Sequence, residues 1–379
     1  MAKLCIYLPP FASDYTGACS VLFDLDCMTA INDAGCCTEH YVFCDEPRWE
    51  KKVRPVFCTT IRNIDAVLGN DNIILDNICR AAEKIQPSML ALVGTPVPAI
   101  TGMDMDGMAC ELEARTGRPA IGFSTTGFAY YDSGMARAGI ALIDRFAEDC
   151  TPVPGRINLV GLTPLDYGDN GTDICLTDTI KSAGFEIGCR FFMGMTLEQL
   201  SRCGSACCNL AVSGGGLAIA KYLKKRFGTP YAIGFPFTQE EARRFVEGRP
   251  QPQAAPPAVR ENGHRILLIT DQILGCSLRS ALRGAGCRRP IDLASFFGWD
   301  SSLAEQGDCC LKDEISYIRL LKTGLYDTII ADPLLTALPA AAGCRHISLV
   351  HPAVSGKLKW HEAPCFNRDL ITAILEQLQ

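Results

Sequence analysis

Short apolar runs of strand length alternate with stretches of helical periodicity along most of the chain, and this alternation restricts the fold more than any other feature. "MLALVG" (89–94) reads as a buried strand, with a loop and a helix over about 104–116 behind it; "RPAIGFS" is the next strand and 133–147 the next helix. That order builds parallel sheets covered by helices. Upstream, "KLCIYL" (3–8) reads as a strand, 14–26 as a helix with Asp14 as N-cap, "EHYVFC" (39–44) as strand-like, and "NIILDNICRAAEKI" as a helix. The Pro-rich "CTPVPGR" (150–156) resets the pattern. A second series follows, with strands "INLVGL", "FEIGCRFF", "NLAVS" and "PYAIGF" and helices at 173–183, 196–202, 216–227 and 239–247. "EGRPQPQAAPPAVREN" has linker composition. "RILLIT" opens a third series that ends with "YDTIIAD", "HISLVHP" and a helix near 367–378. The expected fold is α/β, with three Rossmann-like domains carrying parallel sheets. They occupy residues 1–152, 153–248 and 263–379, with 249–262 as linker. Such sheets bind ligands at the carboxyl ends of their strands, so three domains meeting there would enclose a central cavity.

Hydrophobic residues make up 48% of the 379 and charged residues 21%, enough to bury large cores. A net charge of −6, with no run of Lys or Arg, argues against nucleic acid or an anionic membrane as the main partner. The start of the chain lacks the pattern of a signal peptide and no apolar run approaches a membrane span, so a cytoplasmic protein with reduced thiols is expected. This matters because there are 21 Cys. Metal or cluster ligation is the functional reading of so many thiols. Packing is the plainer reading for at least two thirds of them, since reduced Cys behaves as a small buried hydrophobe; Cys5, Cys79, Cys110, Cys175 and Cys189 sit in apolar patterns. The stretch "INDAGCCTEHYVFC" (31–44) sets Cys36, Cys37 and Cys44 beside a tight Asp33-Ala34-Gly35 turn, and there the two readings compete.

"VSGGGLAIA" (212–220) places Gly214, Gly215 and Gly216 between a strand and a helix, where backbone N–H groups can hold an anion. A plain tight turn explains it as well. No P-loop pattern occurs, so any ATP hydrolysis would belong to another protein. The five His include no pair at helical i, i+4 spacing. "HEAPC" offers only His361 with Cys365, and His351 lies at a strand end, facing the shared cavity.

The stretches "TGAC", "NDAGC", "NIDAVLGN", "LVGTPVPAITGMDM", "TTGFAYYDSG", "NLAVSGGGLAIAKYLKKRFGTPY" and "GHRILLITD" occur in an order and spacing that resemble the nitrogenase component 1 superfamily. That group includes the molybdenum–iron protein subunits, their cofactor-assembly scaffold, dark-operative protochlorophyllide reductase and the nickel-tetrapyrrole reductive cyclase. The resemblance implies three Rossmann-like domains, paired subunits, an iron–sulfur cluster at the subunit interface on a first-domain face, and a separate ATP-hydrolysing iron protein that delivers electrons. The family's three cluster-cysteine positions fall at Ser13, Cys36 and Pro96. Since clusters need thiolate or imidazole donors and Pro96 has none, the resemblance implies at most a smaller 4Fe–4S cluster shared by two chains. Cys36 is its first candidate ligand, Cys37 its second, and Cys19 and Cys58 further ones. The cysteine that holds nitrogenase's molybdenum cofactor falls at Ser213, the pocket histidine near Arg137, and a C-terminal cofactor histidine at His351. No molybdenum cofactor and no dinitrogen reduction are therefore expected. Ser124, Thr125, Thr126, Tyr130, Tyr131, Arg137, Ser213, Gly214, Gly215 and His351 are candidate liners of the interdomain cavity. Arg137 suits an anionic group or a solvated helix face equally. The expected function is a nitrogenase-like reductase acting on an unidentified substrate, as a homodimer or paired with a sister subunit. A non-catalytic scaffold or carrier for a metallocluster or tetrapyrrole is the alternative. A sugar- or nucleotide-binding α/β protein is the third reading, and the Cys content and motif order favour it least.

Overall fold

The computed structural model describes residues 5–248 and 265–378. The expected 249–262 linker therefore lies outside the described residues. The chain forms three parallel sheets, each with its own helices. In the first, β1 (Cys27–Asn32), β2 (Val56–Cys58), β3 (Met89–Gly94) and β4 (Ala120–Phe123) run in the order β2-β1-β3-β4. In the second, β5 (Val153–Leu162), β6 (Glu186–Phe192), β7 (Ala206–Ala211) and β8 (Tyr231–Ile233) run β6-β5-β7-β8. The third holds β9 (Arg265–Ile269), β10 (Ile291–Ser295), β11 (Cys309–Cys310), β12 (Tyr326–Ala331) and β13 (Arg345–Ser348) in the order β11-β10-β9-β12-β13. Central strands of parallel sheets are covered on both faces, and β1 and β3 are buried at every position.

The cores run across the domains. Leu22, Ile31 and Val93 of the first domain share one cluster with Val160, Phe192 and Ile219 of the second. Ile157 and Leu210 share another with Ile266, Leu293 and the C-terminal helix Arg368–Leu378, through Ile371 and Ile374. Leu8 and Phe11, near the start of the chain, pack with Ile269, Phe296 and Tyr317 of the third domain. Helices Asp14–Leu22 and Tyr131–Phe146 touch backbone to backbone. A Cβ at Gly17 would lie 1.9 Å from the Tyr131 carbonyl oxygen, and one at Gly134 1.8 Å from that of Asp14.

Two expected strands are not strands where they are described; residues 3 and 4 of the expected 3–8 strand lie outside the described residues. Residues 6–8 form no ladder, because the N–H groups of Ile6 (3.0 Å), Tyr7 (2.9 Å) and Leu8 (2.7 Å) donate to the buried Glu314 carboxylate. Residues 39–44 lie in the helix Cys36–His40 and the wider turn Tyr41–Asp45 that continues it. The Asp33 carboxylate accepts from Gly35 N (2.9 Å) and Thr38 N (3.0 Å), which starts that helix. Cys44 is thus a half-buried turn residue rather than part of a strand core. The N-cap of the first helix is Ser13, with Asp14 its first residue. Among the described residues only five cysteines are fully buried: Cys19, Cys27, Cys189, Cys203 and Cys208. Cys5 and Cys110, expected to pack, are exposed.

Candidate functional site

Two places gather the candidate residues, both at the carboxyl ends of strands. The first is a loop face of the first domain. Gly35 has φ +141°, a conformation open to glycine at little cost, and it turns the chain so that Cys36 begins the following helix with its side chain exposed. Cys37 is half-buried against the Tyr15 hydroxyl; burial, then the Asp33 charge, pushes its thiol up to about 11. The loop of Cys58 abuts this turn, with the Cys58 thiol donating to the Asp33 carbonyl (3.4 Å) and accepting from Thr60 N (3.3 Å). Pro96 starts the helix Pro96–Thr101 close by. A Cβ at Gly127 would sit 2.6 Å from the Pro96 ring and 3.6 Å from the Tyr15 ring. The loops at 13, 36 and 96 therefore converge, and Cys36, Cys37 and Cys58 lie on neighbouring turns. Cys19 is apart from them, buried in the core beside Cys27, and burial raises its pKa well above the ordinary thiol value. Among the described residues no three His, Cys, Asp or Glu side chains of one chain are arranged to hold a metal ion. The Cys36 thiol is turned to the surface.

Apolar side chains are exposed on the loops and helices beside the Cys36 turn. Phe128, next to Gly127, is 75% exposed, and Ile100 on the Pro96 helix is 75% exposed. Ile64, Val67 and Leu68 are exposed on the helix Asn63–Leu68, which contacts the Pro96–Thr101 helix. Five large apolar side chains are thus left exposed on this side of the first domain.

The second place is the junction of the three domains. Asp166, just after β5, accepts a short hydrogen bond from the Tyr131 hydroxyl. His351, from the third domain, places its Nε2 3.6 Å from the same Asp166 oxygen, with its ring 4.9 Å from Phe297 and 6.0 Å from Tyr131. The three-glycine turn is filled from within the chain: Gly214 N donates to the Asp271 carboxylate at 2.9 Å. Ser213 caps its helix, accepting from Gly216 N (3.3 Å) and donating to the Gly161 carbonyl (2.8 Å). A Cβ on Gly215 would strike Met135 at 2.1 Å. Asp132 accepts from Gly298 N at 2.8 Å. Tyr131, Asp166, Ser213, Gly215, Asp271 and His351 are all buried. The point where the cavity was expected is thus packed with the chain's own side chains.

This junction is polar without being cationic. Burial pushes Asp271 up to about 6, against the backbone donors that favour its charged form. Burial raises Asp166 well above the carboxylate range, and Asp271 adds to it. Burial likewise lowers His351 to about 3, so its ring is neutral at neutral pH. His351 Nδ1 and Nε2 and Asp166 Oδ2 are buried with no hydrogen-bond partner among the described residues. Such a group is a buried Asp–Tyr–His set shut away from solvent, where unpaired polar atoms are costly.

The remaining candidates belong to neither place's interior. Thr125 is buried and donates to the Gly94 carbonyl (2.6 Å), while Ser124 is exposed. Tyr130 is half-buried against Phe11 and Phe297. The Arg137 guanidinium is committed to the buried Asp14 carboxylate at 2.7 Å and to the Ser124 carbonyl at 3.2 Å. The same carboxylate also accepts from Thr126 N (3.0 Å) and Gly127 N (2.7 Å). Sequence reasoning missed Asp14, Asp166 and Asp271 as organising groups. The one available signal was Asp271 directly after the strand "RILLIT", the position of a helix N-cap.

The sequence profile of the family described as nitrogenase component 1 type oxidoreductase matches residues 13–248. The nitrogenase iron-molybdenum cofactor biosynthesis protein NifE of Bradyrhizobium diazoefficiens is 25% identical over 265 residues, covering 62% of this chain and 48% of that protein. One subunit of the light-independent protochlorophyllide reductase of Nostoc punctiforme is 22% identical over 209 residues, covering 52% and 41%. The chain thus spans about half the length of the curated relatives it matches. A solved structure titled "Nitrogenase Cp1 at pH 6.5" superposes with a TM-score of 0.73 over 100% of this chain and 94% of that one, at 13% identity, which is a likeness of fold.

Proposed function

This chain belongs to the nitrogenase component 1 type oxidoreductase family, and we propose that it is one half of a two-chain electron-transfer assembly fed by an ATP-hydrolysing iron-protein reductase. The observation that carries this reading is the exposed Cys36 thiol at the convergence of the 13, 36 and 96 loops, framed by Phe128, Ile100 and the apolar 63–68 helix. A 4Fe–4S cluster held there would draw on Cys36 of each chain, with Cys37 or Cys58 as further donors, and would supply one-electron transfer. Cys19 is the least suited of the four, because its thiol faces the core. The partner is a second copy or a sister subunit. The assembly carries no molybdenum cofactor in this reading, since Ser213 is engaged in capping its own helix.

A scaffold or carrier role is the second reading, and the packed junction favours it. Tyr131, Asp166 and His351 occupy the place where a substrate would have to bind, so a ligand enters there only by displacing buried side chains. A relative's role in cofactor biosynthesis points the same way.

Anaerobic purification followed by iron and acid-labile sulfide assays tests the shared part of both readings. Wild-type protein should contain both, and Cys36→Ala should lose most of the iron. Iron unchanged in that variant sinks the proposed site. Turnover of a reducible tetrapyrrole with a reductase and ATP then separates enzyme from carrier.

A further inference from the structure

Cys175 lies on the helix Thr172–Ser182 of the second domain, and Cys365 lies just before the C-terminal helix of the third. Their sulfurs are 3.6 Å apart, with the Cys365 thiol donating to Cys175. The chain around them is fixed from both sides. Asn170 donates to the carbonyls of Ala363 (3.0 Å) and Pro364 (2.8 Å), Phe366 N donates to Thr172 Oγ1 (3.0 Å), and the Phe366 ring packs on Tyr167 at 5.5 Å. Both thiols are half-buried, so small reagents reach them. Neither takes part in the first-domain face or the junction. We propose that Cys175 and Cys365 form a reversible disulfide that joins the second and third domains covalently when the thiol–disulfide balance turns oxidising.

The oxidant is a small-molecule disulfide. One thiol gives up its proton and attacks that disulfide, forming a mixed disulfide and releasing one small thiolate, which takes up the proton. The neighbouring thiol, deprotonated in turn, attacks the protein sulfur of the mixed disulfide and expels the second small thiol. Two protein thiols are oxidised and one small disulfide is reduced to two thiols. The facing sulfur makes the second step intramolecular. Burial, followed by the facing Cys365 thiol, raises the Cys175 pKa, so exchange quickens with rising pH.

Tryptic mapping reads this directly, because segments 157–181 and 360–368 each contain one cysteine and end at a tryptic site. Native protein is incubated anaerobically with oxidised glutathione at pH 8, alkylated and digested. The expected result is a linked 157–181/360–368 peptide, two hydrogens lighter than the two peptides together, cleaved by dithiothreitol. Cys175→Ser and Cys365→Ser should each leave glutathione on the remaining partner. Recovery of both wild-type peptides unlinked, whether alkylated or carrying glutathione, overturns the proposal. So does a linked peptide formed equally in urea, since the native geometry would then not be its cause.

Discussion

The first-domain face and the three-domain junction sit at the same ends of their sheets and have opposite characters. The face is open, carries a free thiol at Cys36 and is bordered by Phe128 and Ile100, both 75% exposed. The junction is closed, carries Asp166, Asp271, Tyr131 and His351, and keeps them from water. An identical layer of strand ends has been left unfinished at one place and completed at the other. Exposed apolar side chains gain by being covered, so the proposed pairing is assigned to the first domain, while the centre joins the domains around polar atoms of His351 and Asp166 that no hydrogen bond satisfies among the described residues.

Four changes break or sharpen this contrast. At the junction, Tyr131→Ala removes a fully buried ring and leaves Asp166 without its donor. Urea unfolding should show a loss of about 3–5 kcal/mol. A loss under about 1 kcal/mol would mean the centre is not closed as described. On the face, Phe128→Asp should convert the proposed dimer to monomer by light scattering, because a charge replaces an exposed aromatic side chain beside Cys36. A monodisperse dimer in that variant moves the interface elsewhere.

The third change concerns pH. Asp271, raised to about 6 in the folded chain, contributes stability that is full below its unfolded value near 3.8 and is lost as pH rises through 6. His351, lowered to about 3, contributes stability present above its unfolded value near 6.5 and lost as pH falls towards 3. The two slopes oppose each other between about pH 4 and 6. Asp166 is raised as well and opposes His351 in the same window, so Asp271→Asn should remove one of the opposing slopes, and stability should fall less, or rise more, with pH than in wild type across that window. A profile of unchanged shape would mean Asp271 does not titrate there. The smallest expected effect is the stability of Cys36→Ala without iron, which should stay within about 0.5 kcal/mol of wild type because the side chain is exposed. A larger loss in calorimetry would make Cys36 a packing residue.

The parts of the fold legible in the sequence were those where burial on both faces leaves an unbroken apolar run, as in "MLALVG" at β3. The strand Cys27–Asn32 escaped notice because it carries Thr29 and Asn32. Asn32 is buried there with its side-chain oxygen accepting from Thr59 Oγ1 (2.7 Å), a residue from a loop distant in sequence. "EHYVFC" misled because a side chain upstream, Asp33, decides its conformation through two N–H groups. The motif glycines Gly17 and Gly134 were legible as motif and not as mechanism; each is small because the other's helix passes over it. At the candidate site, the Asp33-Ala34-Gly35 turn before Cys36 could be read from the residues, while its place among cluster ligands came only from the family resemblance. The packing of the junction could not be read, because Tyr131 of the first domain, Asp166 of the second, and Asp271 and His351 of the third meet only after three domains have assembled.

The Glu314 carboxylate that gathers the N–H groups of residues 6–8 also sets an order of events during synthesis. The two ends of that clasp are 306 to 308 residues apart. A ribosome adding about 5–20 residues per second delivers Glu314 roughly 15 to 60 seconds after Leu8. Throughout that interval Leu8 and Phe11 have no third domain to pack on. The part of the Leu8 and Phe11 surface that faces the third domain is therefore covered only when a segment made much later folds onto it.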